Sequence, residues 1–199
     1  MRELSLKLDY QPLEQLLLTI EGESGRICRQ ILEENRCLFE SAPGSTHNHQ
    51  AWPGGYLDHI TECMNYARHL YAFDAAFGRP IPFSLSEALL VLFLHDAEKP
   101  FRIRTAANGS FINRADASTK SAFKALRADL IHRYALCLSP AQHNALAYIE
   151  GEGEEYSSLH RVMGPLAAFC HRIDVWSARQ YPDYPKACED EWSGAKRYR

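Results

Sequence analysis

Three separated segments of the chain carry side chains that could together bind a metal ion: His59, the pair His95-Asp96, and Asp174. Imidazole and carboxylate suit Mn²⁺, Fe²⁺, Co²⁺, Ni²⁺ or Zn²⁺, and two nitrogen ligands argue against Mg²⁺ as the tightest binder. The His-Asp pair follows an apolar run at 88–94, where charged groups face either desolvation or a partner such as a cation. Neighbouring helical residues point about 100° apart, so the pair reaches one ion only where the helix frays or the ion lies beside its axis.

The elements that must position the other two ligands are predicted to be helices. Apolar residues at helical spacing over 56–77 place His59 one turn into a core-facing helix. A last long helix is predicted over 159–181, and it carries Asp174 on its apolar side. Each of these helices therefore offers a buried ligand.

The apolar run before His95-Asp96 leaves two interpretations open. Its length from 85 to 98, its lack of glycine and its few β-branched residues favour a buried helix, capped by Ser84 or Ser86. The alternative is a strand of an α/β nucleotide-binding protein that ends in a metal-binding aspartate. The chain has no GxxxxGK loop, which argues against that alternative.

The predicted fold class is all-α with a small β-hairpin near 101–112, where Asn108-Gly109 is a turn signal. Residues 41–55 are rich in Pro, Gly, Ser and Asn and are predicted to form a loop. The remaining segments are predicted helices: two in the N-terminal part, over 13–20 and 27–38 with a break at 21–25, and two more at 117–137 and 139–150.

Bulk properties favour one reduced globular domain. The chain has 199 residues, of which 46% are hydrophobic, and its net charge of -3 gives no basic excess that would favour nucleic acid. Its six cysteines are scattered without a CxxC pair, which favours free thiols. No signal peptide and no run near the roughly 18 apolar residues of a membrane span are visible, so we expect a cytoplasmic protein without membrane contact. The sequence leaves a homodimer open.

Three motifs follow one another along the chain: NHQAWPGGYLDH at 48–59, LFLHDAEK at 92–99 and HRIDVWSAR at 171–179. In order, residue type and spacing they resemble the HD superfamily of metal-dependent phosphohydrolases. They are most similar to the HD domains of bacterial 3′ to 5′ exoribonucleases and of relaxase-associated proteins. The resemblance implies an HD-type helical bundle as a single domain over 1–199, with a core at about 45–180, N-terminal helices within 1–40 packed on it, and a polar tail at 182–199.

The resemblance also implies a metal centre. His59, His95, Asp96 and Asp174 would ligate one divalent transition metal, which neutralises a phosphate oxygen and activates water. Lys99 would meet a substrate phosphate or hold Asp96, with a solvated lysine as the alternative.

Two further positions take roles from the resemblance. His49 lies where relatives also have a histidine, which implies a substrate phosphate or transition-state contact, with a loop-packing histidine as the alternative. Many two-metal members carry a His-His-Gly segment before the final aspartate, where this chain has Ile149-Glu150-Gly151. A second metal is therefore doubtful. Glu150 is a candidate metal ligand or general base, and the alternative is that it is a loop glutamate exposed to solvent. No role is assigned to His132, His143, His160 and His171.

Substrate recognition is predicted from charged and aromatic residues near the motifs. Arg102, Arg104 and Arg179 could bind phosphate through paired hydrogen bonds. Aromatic side chains could stack a base, with hydrophobic packing as the alternative: Trp52, Tyr56, Phe101 and Phe111. The sequence thus predicts a phosphomonoesterase or phosphodiesterase acting on a nucleotide, another phosphorylated small molecule or a nucleic-acid end. The alternative is a catalytically weak or inactive HD-fold module that binds metal or nucleotide as a sensor or scaffold.

Overall fold

Helices make up most of the computed structural model, which describes residues 9–183. In chain order they are α1 (Leu13–Leu18), α2 (Gly22–Glu34), α3 (Arg36–Ser41), α4 (Gly55–Ala76), α5 (Leu85–Leu94), α6 (Lys99–Arg102), α7 (Lys120–Arg133), α8 (Pro140–Tyr148) and α9 (Pro165–Val175), with a 3₁₀ turn at Gly153–Glu155 and a π-helical turn at Trp176–Gln180. Strands β1 (Ile103–Thr105) and β2 (Phe111–Asn113) pair antiparallel after α6. The predicted all-α class with a small hairpin is confirmed. Nearly all of the predicted polar tail, 182–199, lies outside the described residues.

The core is built around α5, whose residues from Ala88 to Leu94 are all buried. A capping box starts this helix: the Ser84 hydroxyl accepts from the Glu87 backbone N–H at 3.1 Å, and the Glu87 carboxylate accepts from the Ser84 N–H at 2.9 Å. Helices α2, α4, α8 and α9 pack around α5, as a helix that is apolar on every side requires. The helical interpretation is confirmed, and the strand interpretation is wrong.

Helix α5 ends at Leu94, whereas the sequence predicted it to continue to residue 98. Residues 95–98 form tight turns, in which the Ala97 N–H donates to Leu94 O at 3.1 Å and the Lys99 N–H donates to Asp96 O at 2.9 Å. Pro100 has no N–H and cannot make the helical bond to Asp96 O, so the i→i−3 bond from Lys99 replaces it. The helix therefore stops at the His-Asp pair.

Other predicted boundaries were also wrong. Helix α2 begins at Gly22, inside the predicted break at 21–25, and Asn35 divides the second predicted N-terminal helix into α2 and α3. The last helix begins at Pro165 rather than at 159, because proline suits the first turn of a helix. Helix α7 begins one residue after Thr119, and α8 begins after the predicted Ser139 cap; both are shorter than predicted.

The hairpin follows the predicted turn. Gly109 has a φ of +82°, and the Ala106 N–H donates to Ser110 O at 2.8 Å, which closes the loop between β1 and β2. The register pairs Arg104 with Ile112. Phe101 and Arg102, which the sequence assigned to the hairpin, belong to α6.

The cysteines of the described residues are unpaired, as predicted: Cys28, Cys37, Cys63, Cys137 and Cys170. None of the helices in residues 9–183 combines the length and the apolar character that a bilayer crossing requires.

Arg127 ties the turn after α5 to the outer helices, and its removal tests the packing. Its buried guanidinium donates to the backbone carbonyls of His95 and Leu146. We expect Arg127→Met to lower the free energy of unfolding by about 2–4 kcal/mol, because two buried carbonyls lose their charged donor. Urea denaturation measures this. Arg133→Met, at the exposed end of the same helix, should change it by less than about 0.5 kcal/mol; equal effects would contradict the role of Arg127.

Candidate metal centre

The four predicted metal ligands converge from three parts of the fold. His59 lies in α4, His95 and Asp96 follow α5, and Asp174 lies in α9. One ligand atom from each residue lies within 4.8 Å of all the others. The shortest separations are 3.2 Å, between His59 Nε2 and Asp174 Oδ1 and between His95 Nε2 and Asp96 Oδ2. Ligands about 2.0–2.2 Å from one ion stand about 3.0–3.6 Å apart, so this buried group could hold a metal ion.

The Nδ1 atoms of His59 and His95 both have hydrogen-bond partners within the protein. His95 Nδ1 lies 2.7 Å from Leu92 O, and a carbonyl can only accept, so Nδ1 carries a proton and Nε2 is the nitrogen that faces the other three residues. His59 Nδ1 lies 3.1 Å from the Ser177 hydroxyl. The two Nε2 atoms face each other at 3.3 Å, beside the two carboxylates. This arrangement gathers one potential ligand atom from each of the four residues around one point, where a cation could be held.

Burial and charge act in opposite directions on the titration of this group. Burial lowers the pKa of His95, but Asp96 and Asp174 outweigh it and raise that pKa to about 10. Burial raises the pKa of the Asp174 carboxyl, but its contacts with the rings of His59 and His95 hold that pKa well below its usual range. The pKa of Asp96 is likewise low, because Lys99 and His95 outweigh burial. Both carboxylates are therefore anionic at neutral pH and attract positive charge.

Two glycines explain how the chain delivers His59 to the group. Gly54 precedes α4 with a φ of +83°, in the left-handed region that favours glycine. A Cβ on Gly55 would lie 1.9 Å from the backbone oxygen of Gln50, so only glycine lets the loop approach the first turn of α4 this closely. The Gly-Gly motif therefore presses the loop at 41–55 against α4, one turn before His59.

One side of the group opens into a cleft of about 470 Å³. Asp174 is the most exposed of the four ligands, with 16% of its side chain accessible against 8% for Asp96 and almost none for the two histidines. The cleft is lined by Asn48, His49, Asp96, Lys99, Lys120, Glu150, Asp174, Val175, Ala178, Arg179 and Pro182. Solvent therefore reaches the group from the carboxylate side.

Lys99 and His49, both predicted to contact substrate, lie together beside the group. Lys99 Nζ is 2.5 Å from Asp96 Oδ2 and 3.5 Å from His49 Nε2. Burial and the neighbouring Lys99 lower the pKa of His49 to about 3, so its ring is neutral. Lys99 thus forms the predicted ion pair with Asp96 and is buried rather than solvated.

Glu150 and Arg179, two other predicted site residues, also line the cleft. The Glu150 side chain is 59% exposed, and its Oε2 lies 3.9 Å from Lys120 Nζ. Arg179 is exposed on the π-helical turn that follows α9. The cleft therefore places the four potential metal ligands beside exposed carboxylate and cationic side chains.

Arg102 and Arg104 do not line this cleft. Arg102 is buried: it donates to Glu98 Oε1 at 3.3 Å and to Asn113 Oδ1 at 2.6 Å, and its guanidinium lies 3.8 Å from the centre of the Phe123 ring. Arg104 is exposed on β1. Arg102 anchors the hairpin to α6 and α7, and the prediction that these two arginines join the site is not supported by their positions.

The aromatic side chains near the motifs also lie elsewhere. Tyr56 is fully buried against Phe39, and Phe101 packs on the same ring. Trp52 donates through its indole nitrogen to Asp58 Oδ2 at 2.7 Å. Phe111 belongs to β2. The alternative of hydrophobic packing accounts for Tyr56 and Phe101, and none of the four lines the cleft.

Sequence reasoning missed several residues around the group. Lys120 and Asn48 line the cleft, and Ser177, Glu62 and Gln50 form a buried polar cluster behind His59. Ser177 stands three residues after Asp174, and Glu62 three residues after His59, on helices predicted to be apolar towards the core. Buried polar residues at one-turn spacing from a ligand were the available signal.

Comparison with protein-family models, with curated proteins and with solved structures found no match.

A metal titration tests whether the four residues act as one site. Protein freed of metal with EDTA should gain about 2.7 kcal/mol of stability when Mn²⁺, Ni²⁺, Co²⁺ or Zn²⁺ is added to 100 times its dissociation constant, which raises the melting temperature by about 5–10 °C. Asp174→Asn should lose most of this gain, and His160→Asn, on an exposed loop, should keep it. A gain of the same size in both variants would place the metal elsewhere.

Proposed function

We propose that this chain is a metal-dependent phosphohydrolase of the HD type, acting on a phosphomonoester or phosphodiester at the cleft beside Asp174. The observation that carries the proposal is a buried group of two imidazoles and two carboxylates that opens on one side into a polar cleft. Four protein ligands fill a tetrahedral site, whereas an ion with five or six ligands keeps positions for water and substrate, and the cleft gives access to such positions. The order of the three motifs in the sequence supports the same proposal.

A divalent cation held by His59, His95, Asp96 and Asp174 would supply Lewis acidity toward a phosphate oxygen and lower the pKa of water. One ion is proposed rather than two. Within residues 9–183 no second group of three or more potential ligands is present. Glu150 is exposed and 3.9 Å from Lys120, which fits a solvated cleft carboxylate better than a metal ligand.

Lys99 is proposed to bind the substrate phosphate, and His49 is proposed to orient the Lys99 ammonium. The Lys99 ammonium is held by Asp96 and directed at His49 Nε2, so it has hydrogen-bond donors at the inner end of the cleft. Glu150 is proposed to accept a proton during hydrolysis, since it is the cleft carboxylate outside the metal group. The Lys99 ammonium and the Glu150 carboxylate would both bring charge to the cleft, as phosphoryl transfer requires.

The substrate is proposed to be a phosphorylated small molecule or a nucleic-acid end that is recognised through its phosphate. Lys99, Lys120 and Arg179 contribute three cations to the described cleft lining, which contains no Phe, Tyr or Trp. Base stacking of the kind used by single-strand binders is therefore not supported by this lining. Cationic side chains recognise phosphate irrespective of the group attached to it.

Hydrolysis of model esters tests the proposal. We expect the protein to hydrolyse p-nitrophenyl phosphate or bis-p-nitrophenyl phosphate when Mn²⁺, Ni²⁺ or Co²⁺ is present, and to stop when EDTA is added. Asp174→Asn should lower kcat/KM at least about a hundredfold, because a charge that holds the cation is lost. His160→Asn is the matched control. Metal binding without turnover of either ester, of nucleotides or of oligonucleotides would reject the enzyme and favour a binding module.

Variants of Lys99 and Glu150 separate substrate binding from proton transfer. Lys99→Met should lower kcat/KM about 10- to 100-fold, since a charge-assisted hydrogen bond to phosphate is worth about 1.5–3 kcal/mol. Glu150→Gln should lower kcat about a hundredfold or more if its carboxylate is the base. Lys124→Met and Glu154→Gln, which remove equal charges outside this cleft, are the controls. Changes below threefold in both test variants would restrict the chemistry to the metal group.

A further inference from the structure

A buried chain of hydrogen bonds runs away from the cleft behind His59. His59 Nδ1 lies 3.1 Å from Ser177 Oγ, and Ser177 Oγ lies 2.5 Å from Glu62 Oε2. All three side chains are at most 1% exposed. Ser177 reaches this position from the π-helical turn that follows α9, and such turns are frequent at functional sites.

Gln50 connects this chain to the second histidine of the cleft. Its amide nitrogen lies 3.4 Å from both Ser177 Oγ and Glu62 Oε2, and its amide oxygen lies 2.6 Å from His49 Nδ1. Gln50 is fully buried and has a φ of +40°, a strained conformation for a residue other than glycine. The close approach of Gly55 to its carbonyl holds the loop in this conformation.

The direction of each proton follows from what each group can do. An ionised carboxylate only accepts, so with Glu62 ionised the Ser177 hydroxyl donates its one proton to Glu62. The Ser177 oxygen then accepts from His59 Nδ1–H, which leaves the Nε2 lone pair of His59 facing the metal group. By the same reasoning, the amide oxygen of Gln50 accepts from His49 Nδ1–H, which leaves His49 Nε2 facing Lys99.

We propose that Glu62, Ser177 and Gln50 are positioning residues that fix the tautomers of His59 and His49. The network orients both rings so that Nε2 faces the cleft: His59 offers a lone pair to the cation, and His49 offers an acceptor that orients the Lys99 ammonium. This proposal rests on the proposed metal centre, and it adds how the ring of the ligand His59 is oriented. The short bond from Ser177 to a buried carboxylate is of the strong, charge-assisted kind, which suits a fixed orientation.

Metal affinity gives the first test. Losing the partner of a ligating histidine typically weakens metal binding or activity about 10- to 100-fold. We expect that loss for Ser177→Ala, a smaller loss for Glu62→Gln, whose amide can still accept, and affinity near the wild type for Ser177→Thr, which keeps the hydroxyl. Ser139→Ala removes a hydroxyl that caps α8 and should leave affinity unchanged even where it lowers stability. Equal affinity in Ser177→Ala and the wild type would overturn the proposal.

The tautomer itself gives a second test that needs no metal. In ¹⁵N-histidine-labelled protein kept in EDTA near pH 8, long-range ¹H–¹⁵N spectra should show His59 protonated at Nδ1 and free at Nε2, with His59→Asn providing the assignment. Ser177→Ala should shift the proton to Nε2, because Asp174 Oδ1 lies 3.2 Å away and can accept it. Absence of metal binding in the wild type would overturn the proposed function alone; an unchanged tautomer in Ser177→Ala would overturn the positioning network.

Discussion

Two carboxylates buried against two imidazoles are the constraint on which the centre of this protein depends. Asp96 and Asp174 stay anionic in a site that water barely reaches, and anions in such a place require compensating positive charge. The raised pKa of His95 shows the same demand, since its ring holds a proton far above its ordinary range. Lys99 supplies one positive charge at Asp96, and the centre between the Nε2 atoms is suited to another.

The helices satisfy this constraint by ending or deforming at the ligands. Helix α5 stops at Leu94, so His95 and Asp96 lie in a turn and both reach one point, which a continuous helix would prevent. Helix α4 starts from a glycine pair that brings the preceding loop against it, one turn before His59. Helix α9 carries Asp174 near its end and passes into a π-helical turn at Trp176, two residues later. The apolar core holds the helices in place, and the four potential metal ligands lie at or near their irregular ends.

Much of this fold could be predicted from the sequence, because the spacing of apolar residues along a helix indicates which of its faces is buried. The apolar faces around His59 and Asp174 and the fully apolar α5 predicted the correct class of fold, and the four predicted ligands do lie close enough together to hold an ion. Proximity along the chain did not predict which side chains share a cleft: Arg102 follows the His-Asp pair closely, yet it turns to Asn113 and Phe123. The exact end of α5 and the π-helical turn were not predicted. Both depend on individual backbone hydrogen bonds, which the spacing of apolar residues does not specify.

The two faces of the centre differ in accessibility and charge, and this asymmetry is the reason for proposing a catalytic rather than a structural ion. On the inner face, the Leu92 carbonyl and the Ser177 hydroxyl hold the rings, and the two imidazoles are inaccessible to water. On the outer face, the carboxylate of Asp174 borders a cleft with lysine and arginine side chains. An ion that only stabilised the fold would gain nothing from an accessible, cationic side, because those cations repel it. They become favourable when an anion lies between them and the ion, which is why a phosphate group is the ligand that we propose for the outer face.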